Sequence, residues 1–207
     1  MDTGWRATFW EYYDRRAAEG VRGSGHAADY WTGLGVPATA ADIEAEARQL
    51  QRLLRALPPA RFVELGAGPG TFTADLPGEG VAIDQSGAAL RVLRTNQPRV
   101  PVVRADALRL PFPDKALDRA VAAHLYGVLP PEERRPLLGE ARRVAAELVV
   151  VDAGRPDGVP GEHWQDRTLP DGGRYRILRR HFTGEQLAGE LGGRSLFSGR
   201  FYVLVIA

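Results

Sequence analysis

Apolar positions in this chain follow two rhythms, and the switches between them predict most of its elements. Short apolar runs, the pattern of strands buried on both faces, occur at 62–65, 81–84, 101–105, 117–123 and 147–152. Between and around them, apolar residues recur at spacings of three and four. Ile43, Ala47, Leu50, Leu54 and Leu57 predict a helix over 38–57 that Pro58-Pro59 stops. A helix over 88–95 follows Ser86 in the capping position, one over 131–143 opens on Pro131, and one through Leu191 starts at Thr183 and ends at Gly192-Gly193. Residues 5–18 hold no Gly or Pro and concentrate Trp5, Phe9, Trp10, Tyr12 and Tyr13, which predicts a cap helix with Phe9 and Tyr13 on one face. Residues 20–35, glycine-rich and carrying His26, Tyr30 and Trp31, read as a loop or broken helix. The stretch 153–173 is rich in Pro and Gly and reads as a lid or acceptor loop. A strand over 174–181 and a hairpin of 194–197 with 200–206, turning at Ser198-Gly199, complete the chain. Strands alternating with helices predict an α/β fold: a doubly wound, seven-stranded, mostly parallel sheet with an antiparallel C-terminal hairpin and an N-terminal helical cap.

The first strand breaks into Gly66-Ala67-Gly68-Pro69-Gly70-Thr71, a turn that lets main chain approach a ligand without Cβ interference. The dinucleotide fingerprint G-x-G-x-x-G is not met, because Thr71 stands where its third glycine belongs. A phosphate-binding P-loop is excluded, since the chain's only lysine is Lys115. A short helix over 71–76 is expected to turn its N–H groups to the ligand. The second strand ends in Asp84, twenty residues beyond Glu64, the distance one strand-turn-helix-strand unit spans.

Glu64-x-Gly66-x-Gly68-x-Gly70 resembles motif I of the class I S-adenosylmethionine-dependent methyltransferases, and the likeness extends along residues 60–153. Asp106-Ala107 after the third strand resembles the family's adenine-binding position. The run from Leu108 through Leu110-Pro111-Phe112 and Asp114 to Asp118 resembles its link into the fourth strand. The resemblance implies S-adenosylmethionine as cofactor and S-adenosylhomocysteine as product. It implies that Glu64, Gly66, Ala67, Gly68 and Gly70 hold the methionine portion. Asp84 is then set to accept from the ribose hydroxyls, Gln85 to cover an adenine face, and Asp106 with Ala107 to meet the adenine edge. The bland readings of Glu64, Asp84 and Asp106 are a carboxylate tying down loop amides, a helix cap and a structural acid.

The fourth strand delivers His124-Leu125-Tyr126 to the sheet edge on which open α/β folds keep reactive groups. An imidazole there can take a proton from a hydroxyl, amine or carbon acid, so His124 is a candidate base. The competing reading is a bystander beside the cofactor, because in-line positioning alone activates a sulfonium. Tyr13 on the cap helix and His163 in the 153–173 stretch are the other catalytic candidates, with Trp164 shaping the acceptor side. Arg174, Arg176, Arg179 and Arg180 either bind an acceptor carboxylate or phosphate or form a solvated strand face.

Composition narrows the acceptor. A net charge of +1 gives no global field for a polyanion, and the fourth-strand end lacks the N/D-P-P-Y/F motif of methyltransferases acting on base amines or glutamine amides, so no nucleic acid is expected. There is no cysteine, hence no disulfide, thiolate metal site or cysteine nucleophile. Asp152 lacks acidic companions, so no metal is expected. Residues 1–6 show no apolar signal core, and no run approaches the about 20 apolar residues of a membrane span. The expectation is a cytoplasmic monomer or homodimer that methylates a small molecule at O, N or C. Its 207 residues would form one domain: cap 1–35, cofactor core 36–153, and acceptor loop with C-terminal strands 154–207. The alternative is a protein that binds S-adenosylmethionine without net methyl transfer, either a cyclase- or decarboxylase-type enzyme or a cofactor-sensing partner subunit.

Overall fold

The computed structural model describes residues 4–18 and 24–207; the side chains of residues 4, 5 and 24–26, Trp5 and His26 among them, lie outside the described set. The five apolar runs form β1 (Ala60–Leu65), β2 (Gly78–Asp84), β3 (Val102–Arg104), β4 (Leu117–Ala123) and β5 (Ala145–Ala153), all parallel. The C-terminal hairpin supplies β8 (Arg194–Ser198) and β9 (Tyr202–Ile206), and the seven-stranded sheet runs β3-β2-β1-β4-β5-β9-β8. Only β9 is antiparallel to its two neighbours, β5 and β8. Strand order reverses between β1 and β4, opening a crevice at their carboxyl ends.

Residues alternate between the two faces of the sheet. Val63, Leu65, Ala120, Ala122, Leu148, Val150, Val203 and Val205 pack against α5 (Pro131–Val144) and α6 (Gly184–Leu191) through Leu137, Ala141, Val144, Leu187 and Leu191. On the other face, Phe62, Val121, Val149, Val151 and Leu204 meet Leu50 and Leu54 of α3 (Ala40–Arg55). That helix starts with a capping box in which Thr39 and Asp42 satisfy each other's amides, and Asp42 also suits the positive end of the helix dipole. The helix α4 (Gly87–Asn96) is capped by Ser86 and packs Leu93 against Ala67 and Ala82. At the base of the sheet, Asp118 accepts from the Arg61 main-chain N–H at 2.8 Å and from its guanidinium at 2.9 Å, tying β4 to β1.

Three expectations are corrected. The helix over 71–76 is a single 3₁₀ turn, Thr73–Asp75, because Pro77 and Gly78 leave no length for an α-helix before β2. The glycine-rich 20–35 stretch is helical from Ser24 to Gly33 (α2), with Trp31 buried on Val36, Ile43 and Phe201; residues 19–23 lie outside the described set. The 153–173 stretch is not a continuous loop. Residues Glu162–Thr168 form β6, which pairs antiparallel with β7 (Arg174–Arg180) as a separate two-stranded sheet, His163 opposite Arg179. The cap helix α1 (Gly4–Ala18) lies across the strand ends, in contact with both α4 and β7.

Candidate active site

The glycine turn makes close approach possible. Gly66, Gly68 and Gly70 all have positive φ, at 65°, 55° and 87°. A Cβ on Gly70 would lie 2.9 Å from Leu93 Cγ, and one on Gly66 would press on Leu125 at 3.2 Å, so the turn is sealed on its inner side. Around Gly68 there is open space. Ala67 is buried and ties the turn to β2 by donating to Ile83 O at 2.9 Å.

Two carboxylates flank this turn. Glu64 is 1% exposed and accepts a short bond from Thr73 Oγ1. Burial, opposed by that bond and reinforced by the charges of Asp84 and Asp75, pushes its carboxyl up to about 8. Asp84, at the tip of β2, accepts from Gly68 N at 2.8 Å through Oδ2 and from Ser86 N at 2.7 Å through Oδ1. Burial raises its pKa despite those amides. Among the described residues neither acid has a cationic partner, although each retains acceptor capacity. Beside Asp84, Gln85 has a buried Nε2 with no partner, while its main-chain oxygen accepts from Arg104 at 2.8 Å.

Asp106 differs. One oxygen accepts from Leu108 N at 2.9 Å, and the other from the Arg6 guanidinium of α1 at 3.0 Å; Ala107 beside it is buried. Sequence reasoning passed over Arg6, as it did Asp14, whose carboxylate accepts from Ser86 Oγ at 2.6 Å and Ala88 N at 3.2 Å. Asp14 thus completes the cap of α4 from a different helix. Neither role has a local signature, because each joins residues far apart in sequence.

His124 has a left-handed backbone, φ 55°, held by its N–H on Val151 O at 2.8 Å. Its ring packs against Phe72 and Tyr202, with Nδ1 3.8 Å from Asp152. Asp152 is itself fixed by Gly127 N and Ala153 N. Tyr13 lies against Phe9 and Tyr12 with its hydroxyl buried and unpartnered. His163 stacks at 5.4 Å on His181, a residue the sequence did not single out. His181 donates from Nδ1 to Pro160 O, so its Nε2 accepts from Tyr30 Oη at 2.6 Å; burial pushes its pKa down to about 4. The glycines, Ala67, Glu64 and Asp84 therefore form one unit, His124 stands at the next strand tip, Asp106 is reached by Arg6 of α1, and Tyr13 and His163 are carried by α1 and β6.

Residues 62–147 match the family described as Methyltransferase domain. Demethylmenaquinone methyltransferase of Beutenbergia cavernae is 32% identical over 113 residues, covering 53% of this chain and 47% of that protein. The enzyme of the same name from Renibacterium salmoninarum is 31% identical over 107 residues, covering 49% and 44%. The chain spans about half the length of these curated relatives. Among solved structures, a complex of DhpI with SAH superposes with a TM-score of 0.74 at 19% identity, covering 100% of this chain and 97% of that one. The Burkholderia thailandensis 1,6-didemethyltoxoflavin-N1-methyltransferase, solved with 1,6-didemethyltoxoflavin and S-adenosylhomocysteine, gives 0.62 at 16% identity, covering 100% and 89%. At such identities these two likenesses concern fold. The matched segment runs through the strands whose tips hold Glu64, Asp84 and His124, and over residues 62–147 the chain is similar to a methyltransferase domain.

Proposed function

We propose that this protein binds S-adenosylmethionine across the carboxyl ends of β1, β2 and β3 and methylates a small-molecule acceptor at O, N or C. The observation that carries the reading is the pair Glu64 and Asp84: two buried acids on neighbouring strands, without a cation among the described residues, beside a turn whose inner side is closed and whose Gly68 faces open space. A buried carboxylate with spare acceptor capacity and no cation beside it is costly, and a ligand offering an ammonium group and two hydroxyls supplies further donors to both acids. When bound, S-adenosylmethionine contributes an electrophilic methyl group whose electron pair returns to sulfur as the new bond forms.

The residues of the chain orient and shield. Glu64 receives the ammonium end, Asp84 the ribose hydroxyls, and Gln85 one face of the adenine. Asp106 and the Ala107 N–H meet the adenine edge, with Arg6 sharing Asp106. His124, its backbone fixed in the left-handed region, takes the proton of a protic acceptor, while Tyr13 and His163 line the acceptor side. Residues 1–35 act as cap, 36–153 as cofactor core and 154–207 as acceptor wall.

Calorimetry with S-adenosylhomocysteine tests this. Binding should be measurable, and Asp84→Ala should weaken it about tenfold or more, since hydrogen bonds to a charged group contribute about 1.5–3 kcal/mol. Absence of heat with the unaltered protein, or an unchanged affinity in Asp84→Ala, overturns the assignment.

A further inference from the structure

We infer that the acceptor is an anion, a small molecule whose carboxylate, phosphate or phosphonate group sits between Arg167 and Arg179. This deepens the methyl-transfer reading and rests on it. Along β6 the side chains alternate: Glu162, Trp164, Asp166 and Thr168 are exposed, whereas His163, Gln165 and Arg167 turn inward. Arg179 stands opposite His163 on β7 and turns the same way. On this face β7 adds the buried Ile177 and Tyr175 opposite Gln165 and Arg167, but the β6 side is polar throughout where a strand that only packed would be apolar.

The two guanidinium groups are unlike the other inward arginines. Arg6, Arg119, Arg134 and Arg143 each meet a carboxylate. Arg167 and Arg179 make no ion pair and no hydrogen bond among the described residues, and the Nε of each is buried without a partner. Arg167 lies 5.1 Å over the Tyr30 ring, and burial, with the charge of Arg179 next, pulls its pKa down. Two half-buried like charges in mutual reach, with no carboxylate in contact among the described residues, form a site that an anion completes.

The neighbours supply the remaining donors. Tyr13 Oη and both ring nitrogens of His163 are buried and unpartnered. His163 is held toward its neutral form by burial and by the charges of Arg179 and Arg167, so it presents one N–H. Asp152, 3.8 Å from His124, is within electrostatic reach of Arg179 and Tyr30, which places the cluster beside the β4 tip. Planar forks donating in parallel match an oxyanion's lone pairs, and a methyl donor carrying a sulfonium favours a negatively charged partner.

The test titrates the S-adenosylhomocysteine-saturated protein with inorganic phosphate, methylphosphonate and acetate at constant ionic strength, with trimethyl phosphate as neutral control. At least one oxyanion should bind and the neutral ester should not; the ranking of acetate against the two tetrahedral anions assigns the group. Arg167→Gln and Arg179→Gln should each weaken that binding about tenfold or more, and Arg179→Lys less, because an ammonium keeps the charge but loses the fork. Thermal melts of all variants identify any that fail to fold, and Arg179→Lys then carries the comparison. If S-adenosylhomocysteine binds but no oxyanion does, or if the glutamine variants bind it unchanged, the inference is overturned. Failure of S-adenosylhomocysteine itself to bind counts against the methyl-transfer reading, and phosphate titrated into the free protein then decides the arginine site by the same comparison.

Discussion

At the scale of single residues, Glu64 has the clearest thermodynamic signature. Its carboxyl titrates near 8 in the folded protein against an ordinary 4.5, so between those values the folded state holds a proton that the unfolded chain has released. The stability this gives is complete below pH 4.5 and is lost as pH rises toward 8, by an amount on the order of a few kcal/mol. Glu64→Gln should therefore flatten the decline of the urea midpoint between pH 5 and 8. A cation arriving at Glu64 reverses the preference, so binding of S-adenosylhomocysteine near pH 7 should expel a proton. Calorimetric enthalpies measured in buffers of different ionisation heat would then differ, and equal enthalpies would count against Glu64 as the ammonium acceptor. His181 has the opposite sign. Its pKa is pushed down to about 4, so its contribution is present above 6.5 and fades as pH falls toward 4.

Among elements, α1 is fastened by polar contacts at several points. Asp14 caps α4, Arg6 reaches Asp106 and, at 2.9 Å, Glu133, and Arg15 bonds Tyr175 Oη at 2.6 Å. Asp14→Ala removes an N-cap acceptor and should cost about 1 kcal/mol. It should also quicken hydrogen exchange along α1 and at Ala88; unchanged exchange would mean that the aromatic contacts alone hold the helix. The parallel strands were legible because each is a short apolar run closed by a glycine, an acid or a histidine. The β6 strand was not, because its inward positions are His163, Gln165 and Arg167, and a strand with polar residues on both faces has no hydrophobic period to read. In the site, Glu64, Asp84 and the glycines could be read because they lie within one supersecondary unit. Arg6, Asp14, Thr73 and His181 could not, since each acquires its partner only when distant segments meet.

For the whole molecule, the contributions of Glu64 and His181 combine. The His181 contribution grows from pH 4 to 6.5 while that of Glu64 shrinks from 4.5 to 8, so from these two groups stability should be nearly level between about pH 4.5 and 6.5 and fall on either side. Urea midpoints across pH 4–8 check this. A maximum above pH 7 would show that neither group is buried in the state described.

The sheet order also bears on how the protein is made. β9 is an interior strand, bonded on one side to β5 through Val149–Ala153 and on the other to β8. While a ribosome is still building the segment after β5, the apolar edge of Leu148–Val151 has no covering strand, and an uncovered edge of that kind recruits whatever extended chain is nearby. Closure waits for residues 202–206, so translational pausing or chaperone scarcity in that interval is when nascent copies are most exposed to aggregation.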